Sequence, residues 1–315
     1  MGVLTMRVIA SLLAVFAFVT VLPANLAQAA DKRVLIIGID GVRPDALASA
    51  ATPSLDRLVA EGAYAEPTLI LGERYRENNT VSGPSWSSIL TGVWADKHGT
   101  HDNTFEGKNY EEYPHFFTRV KEAHPDAQTV SMVSWAPIDE HIVSDADIRH
   151  VESLPPGDDR MQREEQMDKA MAAAAAQVLN EEDPVAMFVY FHQPDAAGHG
   201  IGFSPEVPEY INAIENVDAR VGEVLAALRN RPDHVNEDWL IIVCTDHGGL
   251  GTRHGSGHDD PEIYEVFLII SGPSAQRGSI EAQTYLVDVA VTALAHLGIE
   301  ADPAWDLDGN PVGLR

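Results

Sequence analysis

Seven side chains able to ligate a metal ion or act as an activated hydroxyl lie far apart in this chain: Asp40, Ser82, Asp195, His199, Asp246, His247 and His254. Carboxylates and imidazoles together are ordinary zinc ligands, and two such sites around one hydroxyl would form a centre for two-metal hydrolysis. Each residue sits in a short glycine-, proline- or turn-rich segment, mostly just after an apolar run. If those runs are strands, the side chains meet at one sheet edge, in the crevice where open α/β folds bind ligands.

Asp195-Ala-Ala-Gly-His199 follows the run from Met187 to His192, which Pro194 stops. An Asp and a His four apart reach one metal from a single helical turn, although a surface turn has the same spacing. Asp246-His247-Gly248-Gly249 follows a second apolar run. Adjacent ligands need a sharp turn, which the glycines permit; the alternative is a helix cap with a solvated histidine. Asp40 ends the run 33–39, where a carboxylate either ligates a cation or caps the next segment. In Asn79-Thr-Val-Ser-Gly-Pro-Ser-Trp-Ser-Ser-Ile-Leu-Thr-Gly92, Gly83-Pro84 predicts Ser82 at the start of a helix containing Trp86 to Leu90. Backbone N–H groups at such a start favour an anion. A serine hydroxyl needs a base or a metal to attack, and without a Gly-x-Ser-x-Gly elbow metal activation is the simpler route.

These segments need a scaffold. Strands are expected at 33–39, 129–134, 185–191, 239–245 and 264–271, and helices at 54–59 (capped by Thr52-Pro53 and closed by Gly62), 161–179, 209–229 and 283–297. This alternation predicts an α/β fold, a three-layer α/β/α sandwich with a mostly parallel central sheet. Segments 63–81 and 136–160 read as inserted loops or a small cap over the site. No repeat or linker divides the chain, so 30–315 reads as a single domain.

Residues 1–29 read as a signal peptide, with Arg7, an apolar stretch from Val8 to Leu22 and Ala27-Gln28-Ala29 as cleavage signal; Met6 is an alternative start. A secreted or periplasmic location without a membrane anchor follows, a retained anchor being the alternative. The chain has 45% hydrophobic residues and a formal charge of −27 from 21 basic and 48 acidic residues. That field repels nucleic acid polymers, while bound divalent cations would still let a small phosphate ester in. The lone Cys244 excludes an internal disulfide and, inside the run 239–245, reads as a buried small hydrophobe.

Five stretches in order resemble the alkaline phosphatase superfamily, and most closely its nucleotide pyrophosphatase/phosphodiesterase branch. They are Ile39-Asp-Gly-Val-Arg-Pro-Asp45, Ser82-Gly-Pro-Ser-Trp-Ser-Ser-Ile-Leu-Thr-Gly92, His98-Gly-Thr-His-Asp-Asn103, Pro194-Asp-Ala-Ala-Gly-His199 and Thr245-Asp-His-Gly248. The resemblance implies two divalent ions. Zinc suits mixed Asp/His ligation best, and manganese or iron are also compatible. One ion would be held by Asp195, His199 and a late histidine, the other by Asp40, Asp246 and His247. His254 is preferred to His258 because His254-Gly255 matches the family's His-Gly element. Ser82 takes the place of the branch's usual threonine nucleophile, with Thr80 as local rival.

Asn103 matches the family asparagine that donates to a phosphoryl oxygen, its alternative being a turn residue. The implied reaction is attack by Ser82 on phosphorus and hydrolysis of the resulting phosphoserine. Small phosphodiesters or nucleotide pyrophosphates are the expected substrates, with phosphomonoesters the alternative should Arg43 face the phosphate. A sulfatase would require Cys/Ser-x-Pro-x-Arg, whereas Ser82-Gly-Pro-Ser-Trp86 lacks the arginine. A non-catalytic metal-dependent binding protein is the reading from a different class. His192 is a candidate substrate contact, and Asp306-Leu-Asp-Gly-Asn310 reads as a turn rather than a calcium loop. The oligomeric state is not legible.

Overall fold

Residues 33–39 have no polar face beyond Arg33, and such a strand is stable only with a layer against each side. In the computed structural model, which describes residues 1–2 and 30–315, they lie within β1 (Asp31–Ile39) inside a nine-stranded sheet. Leu35, Ile37 and Ile39 point into one layer, Val34 and Ile36 into the other. The remaining strands are β2 (Ala63–Leu69), β3 (Gln128–Val133), β4 (Ile148–Val151), β5 (Pro184–Phe191), β6 (Glu237–Cys244), β7 (Glu265–Ser271), β8 (Gly278–Ser279) and β9 (Thr284–Tyr285). Their order is β4-β3-β5-β1-β6-β7-β2-β8, with β9 also on β2, and only β7 runs against its neighbours. The expected α/β/α sandwich with a largely parallel sheet is the fold observed.

The helices are α1 (Pro44–Ser49), α2 (Pro53–Glu61), α3 (Ser82–Thr91), α4 (Ala95–His98), α5 (Phe116–Ala123), α6 (Arg160–Glu181), α7 (Gln193–Gly200), α8 (Pro208–Arg229), α9 (Pro261–Tyr264) and α10 (Asp288–His296). Leu55 and Leu58 of α2, Met171 and Leu179 of α6 and Val217 and Val221 of α8 cover one sheet face. Trp86 of α3, Phe116 of α5 and Val289 of α10 cover the other. Register then does the positioning. Ile39 pairs with Phe191 and Gly38 with Cys244, so β1, β5 and β6 end together and deliver Asp40, His192 and Asp246 to one edge. Gly38 permits this packing, because a Cβ there would lie 2.4 Å from the Trp86 ring.

Several local expectations are corrected. Residues 63–69, expected within a loop, form β2, with Ala63, Ala65 and Thr68 inward and Glu66 and Pro67 outward. The stretch 136–160 contains a π-helical turn, Ile138–Ile142, and the edge strand β4. The helix expected from 283 starts at Asp288, whose carboxylate accepts from the Tyr285 N–H while Thr284 and Tyr285 pair with β2. Thr52 does not cap α2 with its side chain; Asp218 of α8 accepts from the N–H groups of Ser54 and Leu55 instead. The expected signal segment falls, beyond Met1 and Gly2, outside the described residues up to Ala29. Among the described residues no helix is long and apolar enough to cross a membrane.

Candidate active site

Asp40 leaves β1 with its carboxylate divided between two environments. Oδ2 accepts from Tyr190 Oη at 2.5 Å and Trp86 Nε1 at 3.3 Å, whereas buried Oδ1 has no partner. Asp246 repeats the arrangement: Oδ1 accepts from the Gly41 N–H at 3.2 Å and Oδ2 is left alone. His247 Nδ1 lies 2.9 Å from the Gly248 carbonyl, which only accepts, so Nδ1 carries the hydrogen and Nε2 presents a lone pair. That Nε2 lies 3.2 Å from Asp246 Oδ2, 3.5 Å from Asp40 Oδ1 and 3.3 Å from Ser82 Oγ.

The second group is similar in chemistry. His199 Nδ1 donates to the Thr252 carbonyl and His254 Nδ1 to the Thr80 carbonyl, each at 3.0 Å. Their Nε2 atoms stand 2.9 Å apart and lie 3.5 and 3.7 Å from Asp195 Oδ1, another buried oxygen without a partner. With both Nδ1 atoms turned to carbonyls, the two Nε2 atoms and Asp195 Oδ1 face one another in an arrangement that fits a shared cation. Ligand atoms of Asp40, Asp246 and His247, and likewise of Asp195, His247 and His254, lie within 4.8 Å of one another. His247 is common to both sets, and His199 joins the second through Asp195 and His254.

The electrostatics point the same way. Burial, then repulsion from Asp195, pushes the Asp40 carboxyl above its ordinary range, with His247 partly offsetting this. Burial, then Asp40 and Asp195, pushes Asp246 well up. Burial also opposes charge on Asp195, but His192 and His247 hold it below the ordinary range. Burial and the facing His247 push His254 down to about 3, which keeps its ring neutral and able to ligate. Three buried carboxylates, each with one oxygen that no donor reaches, need positive charge, and two divalent ions fit that donor set.

Ser82 is the first residue of α3, and its hydroxyl faces His247. Asn103 Oδ1 accepts at 2.7 Å from the N–H of Gly83, the residue after Ser82, so its amide nitrogen takes no part in that bond. The hydroxyl of Thr80 is already used, donating to the His254 carbonyl and accepting from Gly257. His258 donates to the Asn78 carbonyl at 2.8 Å and belongs to neither cluster, which leaves His254 as the late histidine of the site. Arg43 grips Asp45 through Nε and Nη2, while Nη1 donates to the carbonyls of Phe203 and Gly249.

Three supporting residues escaped the sequence reading in whole or part. Glu164 and Asp168 lie one turn apart on the buried stripe of α6, beside Met167 and Met171. Asp168 accepts from the N–H groups of His192 and Gln193 at the start of α7, which carries Asp195 and His199; burial pushes its carboxyl up to about 7. Glu164 Oε2 holds His192 Nδ1 at 2.9 Å, and His192 Nε2 lies 3.6 Å from Asp195 Oδ2. His192 thus supports Asp195. The available signal was two acids on an otherwise apolar helical stripe, since an acid is rarely buried without a partner.

The sequence model of the Type I phosphodiesterase / nucleotide pyrophosphatase family matches residues 34–259, a span containing all seven residues and Asn103. The chain belongs to that family. This phosphodiesterase-family chain therefore falls in the alkaline phosphatase superfamily. It is 24% identical over 276 residues to a 2,3-bisphosphoglycerate-independent phosphoglycerate mutase of Haloarcula marismortui, covering 86% of this chain and 46% of that protein. It is 23% identical over 237 residues to human ectonucleotide pyrophosphatase/phosphodiesterase family member 7, covering 70% and 48%. The chain thus spans about half the length of these curated relatives. Among solved structures, a 2-O GAG sulfatase superposes with a TM-score of 0.72 at 16% identity, covering 88% of this chain and 72% of the other. Murine ectonucleotide pyrophosphatase / phosphodiesterase 5 in complex with AMP superposes with 0.63 at 16%, covering 88% and 99%.

Proposed function

We propose that this protein is a two-metal hydrolase of small phosphodiesters or nucleotide pyrophosphate bonds that works through a phosphoserine. The observation that carries this reading is the Ser82 hydroxyl standing beside two clusters of buried, partnerless ligand atoms. Asp40, Asp246 and His247 would hold one ion, and Asp195, His199 and His254 the other. Two bound divalent ions, for which zinc suits the donors best, would lower the serine pKa, neutralise the non-bridging oxygens and stabilise the leaving oxygen.

Ser82 Oγ attacks phosphorus in line, the alcohol or nucleotide departs, and water hydrolyses the phosphoserine. Two inversions leave net retention at phosphorus. The Asn103 amide, pinned by Gly83, donates to a non-bridging oxygen. Because Arg43 is committed to Asp45 and two carbonyls, its guanidinium fork is not offered to a dianionic monoester. A neutral amide leaves room for a second ester group, so diesters are preferred. The same reading takes residues 1–29 for an export signal, placing the reaction outside the cytoplasm.

The test compares kcat/KM for a chromogenic phosphodiester and its monoester in zinc-loaded protein. The diester should win, and Ser82→Ala should lower its kcat/KM by about 10^4-fold or more. Better turnover of the monoester would reverse the preference; full activity of Ser82→Ala with both metals retained would remove the nucleophile. Stoichiometric metal without turnover of any phosphate ester would make the protein a binder.

A further inference from the structure

Thr80 and Asn79, which the reaction leaves without a chemical role, hold two distant segments together. Thr80 is fully buried, and its hydroxyl donates to the His254 carbonyl at 2.5 Å while accepting from the Gly257 N–H at 2.8 Å. Its carbonyl accepts from His254 Nδ1 at 3.0 Å, which turns Nε2 toward Asp195. Asn79 Oδ1 accepts from both the Thr80 N–H at 2.9 Å and the Ser256 N–H at 2.7 Å. The Asn79 N–H in turn donates to the His101 carbonyl at 2.9 Å, two residues before Asn103. One pair of residues therefore joins the segments that carry Ser82, His254 and Asn103. Ser256 adopts a left-handed φ of 57°, a conformation that a non-glycine residue keeps only when its surroundings impose it.

We propose that Asn79 and Thr80 are positioning residues that latch the Ser82 segment to the His254 segment, so that ion binding at His254 and presentation of the Ser82 hydroxyl are coupled. The proposal rests on the reading of His254 as a ligand and Ser82 as the nucleophile. Threonine serves because one hydroxyl both donates and accepts across the junction. Serine retains both functions, whereas valine keeps the shape and loses both. The Thr80 carbonyl that turns the His254 ring survives both substitutions, so valine removes only the hydroxyl's hold on the 254–257 backbone.

The experiment follows amide hydrogen exchange and zinc titration calorimetry on the full chain for wild type, Thr80→Val, Thr80→Ser and Asn79→Ala. Thr80→Val should speed exchange at Gly257 about tenfold, the equivalent of one lost hydrogen bond. It should also weaken one of two zinc ions up to about tenfold, as expected for loosening the His254 backbone while the Thr80 carbonyl that turns the ring stays in place, and leave the other unchanged. Zinc should protect 79–83 together with 254–258 in wild type and in Thr80→Ser, but only 254–258 in Thr80→Val. Asn79→Ala, which leaves the buried threonine in place, should speed exchange at Ser256 and decides the matter if Thr80→Val does not fold. Wild-type exchange and zinc affinity in both Thr80→Val and Asn79→Ala, with two zinc ions bound, would overturn the latch alone. A wild type that takes up no zinc would overturn the metal reading and the coupling with it.

Discussion

Asp40, Asp246 and His247 stand at the ends of β1 and β6, at most 1% exposed, each anchored by a second atom to Tyr190, Gly41 or Gly248. Asp195, His199 and His254 ride on a short helix and a loop, and the His199 side chain is 40% exposed. The ligand chemistry is the same, but the supports differ. Strand ends in register place charges together accurately and remove their water, so the inner cluster gains strong ligands at the cost of stability without metal. The outer cluster keeps access to solvent and depends on neighbouring side chains for its geometry.

The largest expected effect comes from breaking the inner cluster. Asp246→Asn should lower diester hydrolysis by about 10^4-fold, yet raise the melting temperature of the metal-free protein, because burial and two carboxylate neighbours already oppose its charge. A lower melting temperature without metal would show that the three carboxylates are not in conflict.

Metal removal should separate the two clusters. Graded chelation followed by elemental analysis should strip the outer ion first, and restoring zinc to about 100 times its dissociation constant should return about 2.7 kcal/mol per site. Loss of both ions in one step would make the clusters equivalent.

A smaller effect follows from the support of the outer cluster alone. Glu164→Gln loosens the His192 ring that faces Asp195, so the outer ion should weaken about 10–100-fold while the inner ion keeps its affinity. Equal weakening of both, read by calorimetry, would place Glu164 in the general fold.

The smallest effect calibrates buried charge away from both clusters. Asp288 accepts from the N–H groups of Tyr285 and Asn310, but burial pushes its carboxyl from 3.8 up to about 6. The folded state then holds a proton that the unfolded state has released between those values. Stability is fullest below the lower value and declines as pH rises through the upper one, at about 1.4 kcal/mol per pH unit across the interval. Urea titrations of the metal-free protein from pH 4 to 7 should show a steeper decline in wild type than in Asp288→Asn, the part that remains in the variant coming from Asp40, Asp168 and Asp246, whose carboxyls burial also pushes up.

How much was readable depended on whether the deciding interaction was local. Asp40 and the Asp246-His247 pair follow apolar runs, and parallel strands of that kind end at a common edge, so their meeting was legible. Ser82 was placed by Gly83-Pro84, which starts α3. β2 was hidden because Glu66 and Pro67 interrupt its pattern and its partner β7 is almost 200 residues away. Glu164 and Asp168 carried a signal in their helical spacing, but the groups they hold lie in another segment.

Taken alone, the sequence determined the layered α/β/α class and the segments that carry the candidate ligands, because these rest on periodicity, turn chemistry and residue type, whereas the grouping of those ligands into two sets came from the family resemblance. Tertiary structure decided direction. His254 and His258 lie four apart in one loop, and only the Thr80 and Asn78 carbonyls distinguish the ring that faces Asp195 from the one that does not. Arg43 lies three residues from Asp40 yet turns to Asp45, Phe203 and Gly249. A side chain's orientation is set by whichever long-range partner satisfies its hydrogen bonds, and that partner exists only once the chain has folded.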